Sequence, residues 1–89
     1  MKAVRIHEHG DTDVLVWEEI TDPTIKPDQV LVQIKAAAIN HLDIWVRRGI
    51  PGISLPMILG SDAAGIIKKV GHKVNNFIVG DAVILNPLI

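Results

Sequence analysis

The side chains able to do chemistry crowd into two short stretches: Asn40-His41-Leu42-Asp43 with Trp45 just beyond, and Gly60-Ser61-Asp62-Ala63-Ala64-Gly65. The imidazole of His41 can relay a proton, or it can simply sit solvated on a first helical turn. The indole of Trp45 can wall a pocket or pack against a sheet. Asn40 and Asp43 stand three apart, the spacing of a capping-box-like pair, so helix chemistry alone accounts for both. The glycine-rich stretch resembles a phosphate cradle only superficially, because Ile66-Ile67 stand where Lys-Ser/Thr would be needed. No G-x-G-x-x-G follows a strand. Cysteine is absent, which excludes a disulfide framework and a thiolate zinc site. His7, His9 and His72 fall at strand ends or turns without ligand spacing and read as surface residues.

The elements that must position these groups follow from periodicity. Residues 2–7 alternate polar and apolar as a half-buried strand does, and Gly10-Asp11 supplies turn chemistry. Residues 14–20 are β-branched and aromatic and close at Asp22-Pro23, giving a second strand. Residues 29–39 form a long third strand, with Val30, Val32 and Ile34 on one face and Leu31, Gln33 and Lys35 on the other. From Asn40 the period changes: Leu42, Trp45 and Val46 share a helical face, and Gly49 with Pro51 ends a two-turn helix. Arg47 and Arg48 then meet the C-terminal dipole favourably, which requires no function of them. Residues 53–59 contain Pro56 and read as loop. Residues 63–70 and 81–85 read as strands joined through Gly71 and Gly80, the latter strand buried. Gly65, Gly71 and Gly80 mark bulges and turns. Five or six short strands around one short helix predict a mainly β fold, a partly open barrel.

A chain of 89 residues holds one domain, which buries only about two thirds of its unfolded surface. A hydrophobic content of 48% is high for so small a unit, so part of that surface is expected to meet something outside this sequence. The apolar stretch running to Ile89 reads as a cut rather than a natural end. The net charge of -1, without long Lys/Arg clusters, disfavours nucleic acid as a partner. No apolar run approaches a membrane span, and the start lacks an apolar signal core, so the default expectation is a cytoplasmic protein with no membrane partner.

Taken together, Asn40-His41-Leu42-Asp43, Arg47, Gly49, Gly60 to Gly65, Val70-Gly71, Val74, Phe77 and Gly80-Asp81-Ala82-Val83 resemble the catalytic-domain pattern of the medium-chain dehydrogenase/reductase superfamily. Met1-Lys2-Ala3-Val4 and Asp28 to Val32 fit the same pattern. The resemblance implies a chaperonin-10-like (GroES-like) barrel over residues 1–89, the N-terminal substrate domain of a longer enzyme. It implies further that a Rossmann domain binding NADP or NAD is absent from this chain, and that the active site lies in the cleft between the two. Zinc-dependent members carry a cysteine at the position of Asn40 and a histidine at that of Ser61, beside an acidic residue matching Asp62. An amide and a hydroxyl are poor replacements for thiolate and imidazole. The resemblance therefore implies the zinc-independent, quinone-oxidoreductase-like branch, with no catalytic zinc. A structural zinc in a lobe after Ile89 stays open.

On that resemblance Asn40 and Asp43 are the candidate catalytic pair, Trp45 and Ser61 the substrate contacts, and His41 with Asn40 the cofactor contacts. Asp62 would orient Ser61 or Asn40. The expected function is NAD(P)H-dependent hydride transfer to a quinone or conjugated carbonyl when full length, in a homo-oligomer, with the fragment alone inactive. The alternative is a non-enzymatic module, a co-chaperonin-like subunit or scaffold. The residues 40–49 helix and the Gly60 to Gly65 motif weigh against it.

Overall fold

In the computed structural model, which describes residues 1–87, the chain divides into two compact units: residues 1–22 with 39–61, and residues 23–38 with those from Asp62 onward. The first unit contains a three-stranded antiparallel sheet in which β1 (Lys2–Ile6) lies between β2 (Val16–Glu19) and β4 (Met57–Ile58). It also contains a 3-10 turn at Thr12–Val14 and the only helix among the described residues, α1 (His41–Arg48). The second unit is an antiparallel sheet in the order β3 (Val30–Ala38), β5 (Asp62–Val70), β6 (Ala82–Ile84). The mainly β architecture with one helix is the expected one. Its hydrogen-bonded ladders form two open sheets and do not close into a ring.

The interior is thin. Ile6, Val14, Val46 and Ile67 are the buried hydrophobic side chains among the described residues. Three of these belong to the first unit. β2 runs beside β1 with Val4 opposite Trp17 and Ala3 opposite Glu18. Glu18 lies diagonally across from Arg5, and its Oε1 accepts from Arg5 Nε while also meeting His7 Nε2. The Arg5 guanidinium first, and then His7, hold the Glu18 carboxyl below its ordinary range.

The second unit depends on close backbone approach. A Cβ at Gly65 would stand 2.1 Å from the Gln33 carbonyl oxygen, and one at Gly71 would stand 2.2 Å from that of Pro27. Hydrogen explains both positions, since only its size lets the chains come this near. Gly71 N–H then donates to Gln29 O at 2.8 Å and Lys73 N–H to Pro27 O at 2.9 Å, which ties the entry of β3 to the exit of β5.

Three expectations need correction. Residues 53–59 are not all loop, because Met57–Ile58 pairs with Ile6 and Arg5. Pro56 stands just before that strand, where its missing N–H costs no ladder bond. Strict alternation fails in β3, where Val30 to Val32 are all half-buried and Ile34 is exposed. Register shifts between Leu31 and Val32 and between Ile34 and Ala36 break the two-residue period. β6 is an edge strand with Ile84 83% exposed, not a buried one.

Gly65→Ala is expected to cost about 3 kcal/mol or more through backbone overpacking. Gly52→Ala, at φ 88° with nothing within 4 Å of the added carbon, should cost only the left-handed strain of about 1–2 kcal/mol. Urea titration of the two variants checks the contrast.

A group whose folded pKa is depressed stabilises the fold above its unfolded value and loses that contribution as pH falls through the folded one. The window for Glu18 therefore lies below its ordinary value of 4.5. Urea midpoints measured on either side of that value should fall on acidification in the parent and fall less in Glu18→Gln.

Candidate functional site

α1 begins where β3 ends. Asn40 has the extended geometry of an N-cap, φ -125° and ψ 155°, and faces Asp43 as a capping box. The carboxylate limb is its firm half, with Asn40 N–H donating to Asp43 Oδ2 at 3.0 Å. The amide of Asp43 donates to the Asn40 main-chain carbonyl at 3.0 Å, and the Asn40 side chain faces that same amide as the other limb of the box. The acidic first turn and the basic pair Arg47 and Arg48 in the last both suit the helix dipole.

One turn of helix brings His41 and Trp45 together. Their ring centroids are 5.0 Å apart at an interplanar angle of 79°, an edge-to-face contact. Both residues are exposed, Trp45 at 53%. The N-terminal half of α1 with its cap thus presents an amide, a half-buried carboxylate, an imidazole and an exposed indole within six residues. Ser61 is half-buried at the end of the loop after β4. Among the hydrogen bonds and ring contacts of the described residues it joins neither the Asn40–Asp43 nor the His41–Trp45 pair. Asp62 opens β5 opposite Ala38, in the second unit.

The far end of the helix holds residues whose importance periodicity does not reveal. His9, expected on the surface, is only partly exposed, and its Nδ1 lies 3.0 Å from the Val46 carbonyl oxygen. Gly10 N–H donates to Arg47 O at 3.0 Å, and Arg47 Nε donates back to Gly10 O at 3.3 Å. Arg47 Nη2 lies 3.6 Å from Asp11 Oδ1, with the arginine side chain only 12% exposed. Arg47 therefore does more than neutralise the dipole. Nothing in the local sequence marks His9 for this place, since its partner is 37 residues away.

No group of three or more metal-ligating side chains is assembled among the described residues. An apolar hollow of about 370 Å³ in the second unit is lined by Lys35, Ala64, Gly65, Ile66, Ala82, Val83 and Ile84. It contains one ionisable side chain and no pair of groups suited to acid-base work.

Residues 26–88 match the family model described as the alcohol dehydrogenase GroES-like domain. The chain belongs to that family. With it the chain belongs to the medium-chain dehydrogenase/reductase superfamily. The quinone oxidoreductase of Salmonella typhimurium is 39% identical over 82 residues, covering 91% of this chain and 25% of the relative. The NAD-dependent alcohol dehydrogenase of Saccharolobus solfataricus is 38% identical over 96 aligned residues, covering 98% of this chain and 27% of that protein. The crystal structure of Escherichia coli quinone oxidoreductase complexed with NADPH superposes with a TM-score of 0.87 at 38% identity, over 94% of this chain and 26% of the other. The GroES-like chain thus spans about a quarter of the length of the relatives it matches. No helix among its described residues is long and apolar enough to cross a membrane.

Losing the Asp43 carboxylate removes the acceptor of the Asn40 N–H, whereas a serine at Asn40 keeps that main-chain bond and can still accept from a first-turn amide. Asp43→Ala is expected to cost about 1 kcal/mol, and Asn40→Ser a few tenths of a kcal/mol. Urea or thermal unfolding of the two variants decides it.

Proposed function

We propose that this chain is the N-terminal substrate domain of an NAD(P)H-dependent oxidoreductase that transfers hydride to a quinone or a conjugated carbonyl, with the cofactor held mainly by a Rossmann domain outside residues 1–89. The observation that carries the reading is the exposed N-terminal half of α1. It sets the Trp45 face, exposed at 53%, beside His41 and directly after the Asn40–Asp43 pair. An apolar aromatic face left this open on a helix with polar neighbours suits a flat conjugated ligand. Relatives named for quinone and alcohol oxidoreduction, one of them bound to NADPH, support the same class of chemistry.

The donor set fits a nicotinamide and does not fit zinc. Asn40 offers an amide that both donates and accepts, suited to a carboxamide or a substrate oxygen, and Ser61 offers a hydroxyl. Neither replaces thiolate or imidazole as a ligand for a catalytic zinc. A reduced nicotinamide, when bound, supplies the hydride and thereby the two electrons. The chain's own residues do the rest. Asn40 donates to the oxygen on which negative charge develops, which favours substrates already electrophilic by conjugation over simple ketones. His41 stands ready to pass a proton to that oxygen or to meet a cofactor phosphate, and Trp45 with Ser61 lines the substrate side. The resemblance pairs Asp43 with Asn40 as catalytic. Its Oδ2 accepts from the Asn40 N–H, and by that bond it also fixes where the Asn40 side chain starts.

Asn40→Ser in the full-length gene product separates chemistry from folding. The bond from Asn40 N–H to Asp43 survives the exchange, so the melting temperature should barely move. In NADPH-dependent reduction of 1,4-benzoquinone, kcat/KM should fall about tenfold or more, roughly 1.4 kcal/mol of transition-state stabilisation. Parental kinetics would remove Asn40 from the site.

A further inference from the structure

We propose that the loop 7–11 is a clasp on the C-terminal end of α1, with His9 and Arg47 as positioning residues that fix where the helix presents His41 and Trp45. The functional half of this inference rests on the reading of α1 as a wall of the substrate site. The clasp itself rests on four observations independent of that reading.

The last carbonyls of a helix lack partners inside it. In α1 they are taken up in sequence: Trp45 O accepts from Gly49 N–H at 2.9 Å, Val46 O from His9 and Arg47 O from Gly10 N–H. Because a carbonyl only accepts, His9 Nδ1 must carry the proton in this contact. The second observation is reciprocity, since Arg47 Nε returns a bond to Gly10 O while its Nη2 faces Asp11. The third is shape. Gly49 has φ 115°, and a Cβ there would meet His9 Cγ at 3.2 Å, so the imidazole lies against a surface that only glycine leaves open. The fourth is packing: a Cβ at Gly10 would stand 2.7 Å from Val14 Cγ1, and Val14 and Val46 are two of the three buried hydrophobic side chains of this unit.

Together these contacts leave the last turn of α1 little freedom to slide or rotate. An eight-residue helix is short enough that fixing one end sets the other. His41 and Trp45, one turn apart, move with it. His9 meets the helix at Val46 and Gly49, so its effect on a bound ligand would pass through the helix.

Hydrogen exchange of the full chain, followed by NMR, tests the clasp directly. Three variants are compared with the parent. His9→Phe keeps a flat ring without the donor, His9→Asn places an amide N–H where Nδ1 stood, and Arg47→Met keeps the stem without the guanidinium. His9→Phe and Arg47→Met should each lower protection at Val46 to Gly49 by about tenfold relative to amides of β3 and β5, and weaken the His41–Trp45 ring contact. His9→Asn should restore both to within about threefold of the parent. Parental protection in His9→Phe and Arg47→Met, or a loss in His9→Phe that His9→Asn does not recover, overturns the clasp. If one of the two disruptive variants does not fold, the other carries the test.

A kinetic arm separates the clasp from the site. In the full-length gene product, kcat/KM for NADPH and 1,4-benzoquinone should fall about tenfold in His9→Phe and recover in His9→Asn. Altered exchange with parental kinetics would uphold the clasp and overturn the reading of α1 as part of the substrate site.

Discussion

The last carbonyls of α1 set a condition that the rest of the first unit meets. A helix of eight residues carries more unpaired terminal groups than internal bonds. It cannot rely on a deep core here, because Val46 is its one buried side chain. Its stability therefore comes from where its ends are tied. The loop after β1 supplies the tie at the C-terminal end, and the Asp43 carboxylate secures the N-terminal end. β1 is the common support of these arrangements, since it pairs with β2 and β4 and leads directly into the clasp. The same bonds that finish the helix also hold the loop after β1 in place.

The second unit solves a different problem by different means. A three-stranded sheet with one fully buried large side chain, Ile67, has little apolar burial to hold its register. Gly65 and Gly71 compensate by letting the β5 backbone and its following turn come against residues 33 and 27 at distances no side chain permits. The bulges in β3 bend the strand locally and end its alternation. β6 then lies along the edge with much of its side-chain surface uncovered. Ile84 and the Phe77 to Val79 turn are apolar groups that solvent does not favour, in keeping with a domain that spans a quarter of its relatives' length.

Much of this was legible in the sequence, and what was missed has physical causes. Alternation pointed to β1 and β3, β-branched and aromatic composition to β2, runs bounded by glycine to β5 and β6, and the change of period at Asn40 to α1. β4 escaped because two residues have no period, and its strand character comes from β1. The exposure of β6 escaped because apolarity reports what a residue would bury and not whether a partner is at hand. In the site, the spacing of Asn40 and Asp43 foretold their pairing, and the i, i+4 spacing of His41 and Trp45 is one at which helical side chains meet. His9 was invisible because a helix cap borrowed from 37 residues away leaves no local trace. Arg47 was legible only in part: its place in the last turn suggested the dipole, while its bond to Gly10 and its ion pair with Asp11 depend on a loop that only the folded chain brings near.

The two ends of α1 divide the work unevenly, and that asymmetry bears on function. At the C-terminal end, side chains with polar heads are turned inward and committed: His9 to Val46, Arg47 to Gly10. At the N-terminal end the bond from Asn40 N–H to Asp43 uses the main chain, so that limb of the capping box does not depend on the identity of the Asn40 side chain. His41 and Trp45 engage one another edge to face yet remain open to their surroundings. A binding surface needs groups held in place by something other than their own ligand contacts, or every bound molecule must first order them. A helix fixed from behind and polar in front meets that need with few residues. It is an economical way for a domain with so thin an interior to hold a site steady.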